Sequence, residues 1–287
     1  MKHLLLDPSR TEAPTRDHPD GQKHPESLPA AKATKVHPTA AGGENASIYF
    51  VGTATTIFDH FDQKVEESLR RSLPIITTPH AKDHLTSKGA EESFSEVYDL
   101  DFFQSMMVNI ATHDSSSADK APAIKVTGMP GKHVPQGLLS MANDLLGAVP
   151  PTNGWMVELG RVDKGKGEES FENGYRIYIS GDTLMVDELK EIPERYKGQN
   201  IDLMLIHLGG TTIPSPKIPL LMVTMDAKQG IELVRLINPD MTIPIHYDDY
   251  DVFLSPLDDF KKVMEEAGLS QKVVYLDRKD QYKFKVG

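Results

Sequence analysis

Cysteine is absent from the 287 residues of this chain, and its absence limits both the covalent structure and the metal chemistry. No disulfide can form, so nothing in the sequence points to an oxidising compartment. A transition-metal site has to be built from histidine, aspartate or glutamate, because thiolate is the other common protein ligand for such ions. The 11 histidines of the chain leave room for such a site.

Long hydrophobic runs and an excess of basic residues are also lacking. The three leucines near the N-terminus, at positions 4–6, fall far short of a signal-peptide core, and no stretch approaches the ~20 apolar residues of a membrane span. A net charge of -11 argues against a role that depends on attraction to a phosphate backbone. We therefore predict a soluble cytoplasmic protein that binds no nucleic acid and has no membrane span. The negative charge does not exclude a small-molecule substrate, even an anionic one that a metal ion holds.

Composition divides the chain into two parts. Residues 1–46 are rich in Pro, His, Thr, Ala and Lys and show no apolar periodicity after Leu6, which predicts a disordered N-terminal tail. Residues 47–287 predict one domain in which early hairpins are followed by alternating strands and helices, an order typical of α/β layers with a mixed sheet. Near the candidate site we predict a hairpin of 154–159 with 175–180, helices over 184–196 and 226–237 (the second capped by Thr224), and strands over 241–245 and 273–276.

Four short stretches place metal-binding side chains just after an apolar run. They contain, in chain order, the pair Asp59 and His60, then His133 in a Gly/Pro-rich loop, Asp182 in Ser-Gly-Asp-Thr, and His246 after Ile-Pro-Ile. Histidine and aspartate on loops at strand ends are the means by which a fold assembles an open zinc site without cysteine. The four stretches together therefore predict a metal centre, although each has its own alternative explanation.

The alternatives differ from residue to residue. Asp182 could simply cap a following helix, since aspartate is a favoured N-cap residue. His246 could be a hydrogen-bonded histidine beside the acidic loop that follows it, and His133 could be an ordinary loop histidine. His207 ends an apolar strand. It could contact the substrate or hydrogen-bond to a metal ligand, or it could simply be hydrogen-bonded in the core.

Nucleotide-binding motifs are not found around these residues. The segment ending in Gly131, Lys132 and His133 is not a Walker loop, because position 126 is Val and no Ser or Thr follows the lysine. A doubly wound nucleotide-binding enzyme would fit the late alternation of strands and helices, but no G-x-G-x-x-G follows a strand.

The order of the four stretches resembles the metallo-β-lactamase superfamily, in particular its L-ascorbate-6-phosphate lactonase-like and N-acylphosphatidylethanolamine phospholipase D-like branch. The resemblance covers residues 48–282 and includes the Val-Gly-Thr-Ala-Thr-Thr segment at 51–56. It implies an αβ/βα sandwich in which Asp59, His60 and His246 match the second metal position, His133 matches the first, and Asp182 matches the carboxylate that bridges both.

One departure from that family affects both fold and activity. The family's first motif is His-x-His-x-Asp-His. Only its final Asp-His has a counterpart in this chain, Asp59 and His60, which implies that several N-terminal strands are missing. The resemblance then implies one zinc ion, with manganese or iron also suited to the ligands, and Asp59 as a ligand or proton acceptor. The implied activity is hydrolysis of an ester, lactone or phosphodiester by a metal-bound hydroxide. The alternative is a non-catalytic protein that has lost its first metal position.

Overall fold

The computed structural model describes residues 36–37, 49–50, 63–110, 119–134, 151–215, 217–248, 253–278 and 280–287. The strands are β1 Val36–His37, β2 Tyr49–Phe50, β3 Ile75–Thr77, β4 Val97–Asp99, β5 Ser105–Ile110, β6 Lys120–Gly131, β7 Thr152–Asp163, β8 Glu172–Ile179, β9 Leu203–His207, β10 Thr212–Ser215, β11 Ile218–Met222 and β12 Met241–Ile245. The α-helices are α1 Gln63–Ser68, α2 Pro79–Thr86, α3 Glu191–Arg195, α4 Ala227–Ile237 and α5 Leu257–Glu266.

The centre of the described structure is a mixed sheet of seven strands in the order β1-β5-β6-β7-β8-β9-β12. Neighbouring strands from β5 to β8 run antiparallel, whereas β8, β9 and β12 run parallel to one another. In the parallel part, Ile179 lies opposite Leu205, and His207 lies opposite Ile245. The carboxyl ends of these three strands therefore meet at one edge of the sheet, where α/β folds place their ligand sites.

Successive residues of a strand point to opposite faces, and both faces of the large sheet are covered. On one face, Met156, Tyr178 and Met204 pack against Leu233 of α4 and Phe260 of α5. The strands β2, β3 and β4 form a second, small parallel sheet. On the other face of the large sheet, side chains pack with Ile76 of β3 in this small sheet. The large-sheet side chains in this cluster include Val126, Trp155, Val157, Ile177, Leu205 and Ile243.

The small sheet is covered in turn on its outer face. Ile75 points away from the large sheet and packs with Leu85 of α2, Phe94 and Val97. Helix, sheet, sheet and helix thus form four layers, and the predicted αβ/βα sandwich is confirmed. The described part of the small sheet has three strands. Whether several N-terminal strands are missing stays a prediction.

Several local predictions were wrong. The predicted helix over 184–196 is a 3-10 turn at Asp187–Lys190 followed by the five-residue α3. Helix α4 is capped by Asp226, whose side chain accepts from the backbone N–H of Gln229, and not by Thr224. The segment 273–276 forms a single bridge from Val273 to Thr242 and is not a strand.

Two further differences concern segments for which no strand was predicted. Val36–His37, inside the predicted disordered tail of 1–46, pairs antiparallel with Ile110 and Asn109 of β5. The remainder of 1–46 lies outside the described residues. A hairpin of β10 and β11 follows His207, and the prolines at positions 214 and 219 in its strands obscured the strand pattern in the sequence. Within the described residues no helix has both the length and the apolar character needed to cross a membrane.

Tyr178 is expected to tolerate loss of its hydroxyl. The ring is fully buried in the core beneath the helices, burial raises the pKa of its phenol, and the hydroxyl has no hydrogen-bond partner among the described residues. A buried polar group without a partner costs free energy, so Tyr178→Phe should leave the free energy of unfolding unchanged or raise it by about 1 kcal/mol. Urea denaturation of the variant measures this change.

Tyr196→Phe is the matched control for that experiment. The hydroxyl of Tyr196 bonds to Thr127, and burial raises the pKa of this phenol to about 12. Loss of a satisfied hydrogen bond should lower the free energy of unfolding by about 1 kcal/mol. A loss of similar size in Tyr178→Phe would show that the hydroxyl of Tyr178 is satisfied in solution.

Candidate metal centre

Three of the predicted ligands lie at or near strand ends in the described structure. Asp182 follows β8 by three residues, and His246 directly follows β12. His133 lies two residues beyond the end of β6. His207 is the last residue of β9, between β8 and β12 in the sheet. Asp59 and His60 lie outside the described residues, so their predicted roles stay predictions.

Asp182 and His246 are brought together by the parallel register of the three strands. Oδ2 of Asp182 lies 3.3 Å from Nε2 of His246. The Asp182 side chain is only 3% exposed and that of His246 15%, so the pair is largely shielded from water. Burying a carboxylate costs free energy unless a cation or hydrogen-bond donors offset its charge. This pair is therefore the core of the candidate site.

The hydrogen bonds of His246 and His133 fix which ring nitrogen carries the proton. Nδ1 of His246 lies 3.0 Å from the carbonyl oxygen of Leu208, and Nδ1 of His133 lies 2.9 Å from that of Val223. A carbonyl oxygen can only accept, so both Nδ1 atoms must be protonated and donate. In the neutral ring Nε2 then carries the lone pair, which is the arrangement found in histidines that bind metals.

The loop that carries Asp182 depends on a glycine. Gly181 has a φ of +63°, and a Cβ there would fall 2.4 Å from the carbonyl oxygen of Asn153 on β7. Only glycine fits that combination of left-handed backbone and close approach. The 3-10 turn that follows begins at Asp187 with Val186 as its N-cap, so Asp182 does not cap it, and the helix-cap alternative is excluded.

His246 itself has a left-handed backbone. Its φ of +61° is uncommon for a residue other than glycine, and such strain is found where the surrounding structure fixes a functional side chain. The ring of Phe253 meets the His246 ring edge-on at 5.0 Å between centroids. Gly209 permits this packing, since a Cβ there would lie 2.6 Å from the Phe253 ring.

The loop of His133 is joined to the loop of Asp182 by hydrogen bonds that the sequence did not reveal. The backbone N–H of Lys132 donates to Oγ1 of Thr183 at 2.9 Å, and the N–H of Leu184 donates to the carbonyl of Lys132, also at 2.9 Å. The N–H of Met225 donates to the carbonyl of Thr183 at 3.0 Å. Thr183 thus holds the His133 loop, the Asp182 loop and the segment after β11 at one place.

The observed pair fits a metal ion in spacing and in donor type. Two ligand atoms at about 2.0–2.1 Å from a tetrahedral zinc ion lie about 3.3 Å apart. That is the separation measured between Asp182 Oδ2 and His246 Nε2. Among the described residues, however, no group of three or more His, Asp or Glu side chains is placed to hold an ion. The described part of the chain therefore supplies two side chains whose spacing fits a metal ion, and a complete site would need further ligands beside them.

His207 is the residue of this region whose role the sequence left most open. Its ring centroid lies 5.8 Å from that of His246. Its backbone N–H donates to Oγ of the buried Ser180, just after β8, at 2.9 Å. The sequence shows that His207 ends an apolar strand, but its register with Ile245, which places it beside the site, is seen only in the structure.

Comparison with known proteins places this arrangement in a family context. Residues 56–247 match the family described as the beta-lactamase superfamily domain. A metal-dependent hydrolase from Archaeoglobus fulgidus is 24% identical over 226 residues, covering 79% of this chain and 78% of that protein. A relative of the same description from Methanosarcina mazei is 31% identical over 103 residues. That match spans 38% of the relative's length, and a match to a Nanoarchaeum equitans relative spans 40%.

Solved structures share the fold. An isothiocyanate hydrolase from gut bacteria of Delia radicum superposes with a TM-score of 0.58 at 16% identity, covering 85% of this chain and 78% of that one. A metallo hydrolase from Ignicoccus hospitalis gives a TM-score of 0.53 at 19% identity, covering 83% of this chain and 80% of that one. The match of the family model to residues 56–247, which is more than half of the chain, shows that this protein belongs to the family described as the beta-lactamase superfamily domain.

Proposed function

We propose that the protein is a metal-dependent hydrolase whose ion is held by Asp182 and His246. The observation that carries the proposal is the 3.3 Å separation of Asp182 Oδ2 and His246 Nε2, combined with the bond from His246 Nδ1 to Leu208. The relatives named as metal-dependent hydrolases support the same activity. We further propose that Asp59 and His60 complete the ligand set of this ion, with Asp59 as a ligand or proton acceptor, and that His133 supports a residual first metal position.

Imidazole nitrogen and carboxylate oxygen suit zinc, manganese and iron, and we propose one zinc ion. When bound, such an ion polarises a substrate oxygen and lowers the pKa of water enough for hydrolysis near neutral pH. The substrates we propose are esters, lactones or phosphodiesters, whose carbonyl or phosphoryl oxygens respond to that polarisation. The resemblance to lactonase-like and phospholipase D-like hydrolases supports this choice.

The protein's own side chains would orient and shield the reacting groups. The carbonyls of Leu208 and Val223 keep the imidazoles of His246 and His133 in one tautomer, so neither ring has to reorganise. The ring of Phe253 lies against His246 and restricts its rotation. Burial of Asp182 keeps water from competing for its carboxylate, which strengthens its attraction to a cation.

Metal analysis of the full chain, purified without a tag, tests this proposal. We expect about one zinc, manganese or iron per chain, and hydrolysis of at least one of 4-nitrophenyl acetate, a γ-lactone or bis(4-nitrophenyl) phosphate that stops after chelation and returns when the metal is restored. Hydrolysis that persists in metal-free protein, or a metal-loaded protein inert to all three substrate classes, would contradict the proposal.

A second candidate is a non-catalytic member of the family. It is favoured by the fact that the described residues contain no group of three or more side chains able to hold an ion. The same metal analysis separates the two candidates. A folded chain that binds no zinc, manganese or iron at micromolar concentration would favour the non-catalytic protein.

A further inference from the structure

Thr183 bonds to the main chain that carries His133. Thr183 directly follows Asp182 and is fully buried. Its Oγ1 accepts from the backbone N–H of Lys132 at 2.9 Å, and the N–H of Leu184 donates to the carbonyl oxygen of Lys132, also at 2.9 Å. The N–H and the carbonyl of Lys132 are therefore both held, and the peptide bond that leads into His133 has a fixed orientation.

The backbone of Thr183 also reaches the segment that holds the imidazole of His133. The carbonyl oxygen of Thr183 accepts from the N–H of Met225 at 3.0 Å. Two residues earlier, the carbonyl oxygen of Val223 accepts from Nδ1 of His133 at 2.9 Å. These bonds close a ring from Thr183 through the main chain and imidazole of His133 to the segment 223–225 and back. Both ends of His133 are thus tied to one residue.

The hydroxyl of Thr183 is a part of this ring that a substitution can remove without changing the shape of the side chain. Its hydrogen can be donated to the carbonyl oxygen of Leu184 at 2.9 Å or to that of Lys132 at 3.3 Å, while its oxygen accepts from the N–H of Lys132. The β-branched side chain has little freedom at χ1, so this oxygen is held in one place. Removing it leaves a backbone donor without its acceptor.

His246 is held by other bonds. Its Nδ1 donates to the carbonyl oxygen of Leu208 at 3.0 Å, and the N–H of Leu208 donates to the carbonyl oxygen of Ile245, also at 3.0 Å. Thr183 takes part in neither bond. The imidazole of His246 therefore serves as an internal reference for any effect of Thr183 on His133.

We propose that Thr183 is a positioning residue of the candidate metal centre, whose hydroxyl fixes the imidazole of His133 relative to Asp182. Holding the two groups in one geometry beforehand removes the free-energy cost of ordering them when an ion or a substrate binds. The benefit to binding rests on the proposed function, whereas the positioning itself can be measured in the metal-free protein.

Nitrogen NMR of the metal-free full chain, labelled with ¹⁵N at histidine, tests the positioning. At a pH about two units above the ordinary histidine pKa, the wild type should show His133 and His246 in the Nδ1–H tautomer. In Thr183→Val the His133 ring should also populate the Nε2–H tautomer, and His246 should not change. Thr183→Ser keeps the hydroxyl and should give the wild-type spectrum. An unchanged His133 in Thr183→Val, or an equal change in both histidines, would overturn the inference.

Zinc affinity, measured by competition with a chromogenic chelator, tests the consequence for the proposed centre. Thr183→Val should weaken zinc binding roughly 10- to 100-fold, the cost of losing a group that orients a metal ligand, and Thr183→Ser should stay within about threefold of the wild type. Thr242→Val is the matched control, because the hydroxyl of that buried threonine has no hydrogen-bond partner among the described residues. Wild-type affinity in Thr183→Val would overturn the inference. A wild-type chain that binds no metal would instead overturn the proposed function, and the spectra of the metal-free protein would still decide the role of Thr183.

Discussion

Asp182→Asn is expected to lower zinc affinity by more than about 100-fold, because loss of a mere partner of a metal ligand already costs 10- to 100-fold. The amide keeps the shape of the side chain but removes the negative charge that attracts the ion. Asp182 is 3% exposed, so the variant without metal avoids a buried charge and should be as stable as the wild type or more so. Loss of affinity together with retained stability separates a ligand from a structural residue.

Calorimetric titration with zinc and thermal unfolding of the metal-free proteins measure the two parts of this prediction. Asp187→Asn is the matched control, since Asp187 is exposed and bonds only across the surface to Lys190. We expect His246→Gln to lose zinc binding as Asp182→Asn does. Asp182→Asn protein that retains wild-type zinc affinity would exclude this carboxylate as a ligand and remove the basis of the proposed function.

Arg176→Met is expected to lower the free energy of unfolding by about 3–5 kcal/mol, the usual cost of removing one partner of a buried ion pair. Arg176 and Glu158 are 5% and 4% exposed on neighbouring strands. The guanidinium donates to Oε1 of Glu158 from Nε at 3.0 Å and from Nη2 at 2.8 Å. It also bonds to the carbonyl of Asn200 and to the side chain of Gln199. Without it the Glu158 carboxylate is left buried, and among the described residues Lys125, 3.9 Å away, is its one remaining ion-pair partner.

Urea denaturation of three proteins tests that account. Arg161→Met, at an exposed position on β7, is the matched control and should change the free energy of unfolding by less than about 0.5 kcal/mol. Adding Glu158→Leu to Arg176→Met should recover most of the loss, because an apolar pair leaves no buried charge. A double variant no more stable than Arg176→Met alone would show that the loss comes from packing and the bonds to Asn200 and Gln199.

The fold could be predicted where local pattern and tertiary structure agree. The predicted bounds of β12, 241–245, coincide with the observed ones, because this strand is a short apolar run that ends where the chain turns. The segment 184–196 has helical spacing but folds mainly as a 3-10 turn and one short helix, since the backbone of Leu184 is bonded to the His133 loop. Such tertiary hydrogen bonds override propensity and cannot be derived from one sequence.

The site could be predicted as a set of strand-end residues but not as a geometry. The motif order placed Asp182 and His246 at strand ends, and the structure brings these two into contact. Their contact depends on which strand lies between β8 and β12, a question of topology that a single sequence leaves open. The same holds for His207, whose neighbour Ser180 is close only because β8 and β9 pair in parallel.

Because of the strand order β8-β9-β12, the proposed centre would also stabilise the sheet against local unfolding. An ion shared by Asp182 and His246 would join the ends of two strands that do not touch each other and would enclose the end of β9 between them. Fraying of any of the three strand ends would then have to release the ion, so the free energy of binding also resists local unfolding. Depletion of the metal would then increase the rate at which proteases cleave the chain near these strand ends, whether or not the protein turns over a substrate.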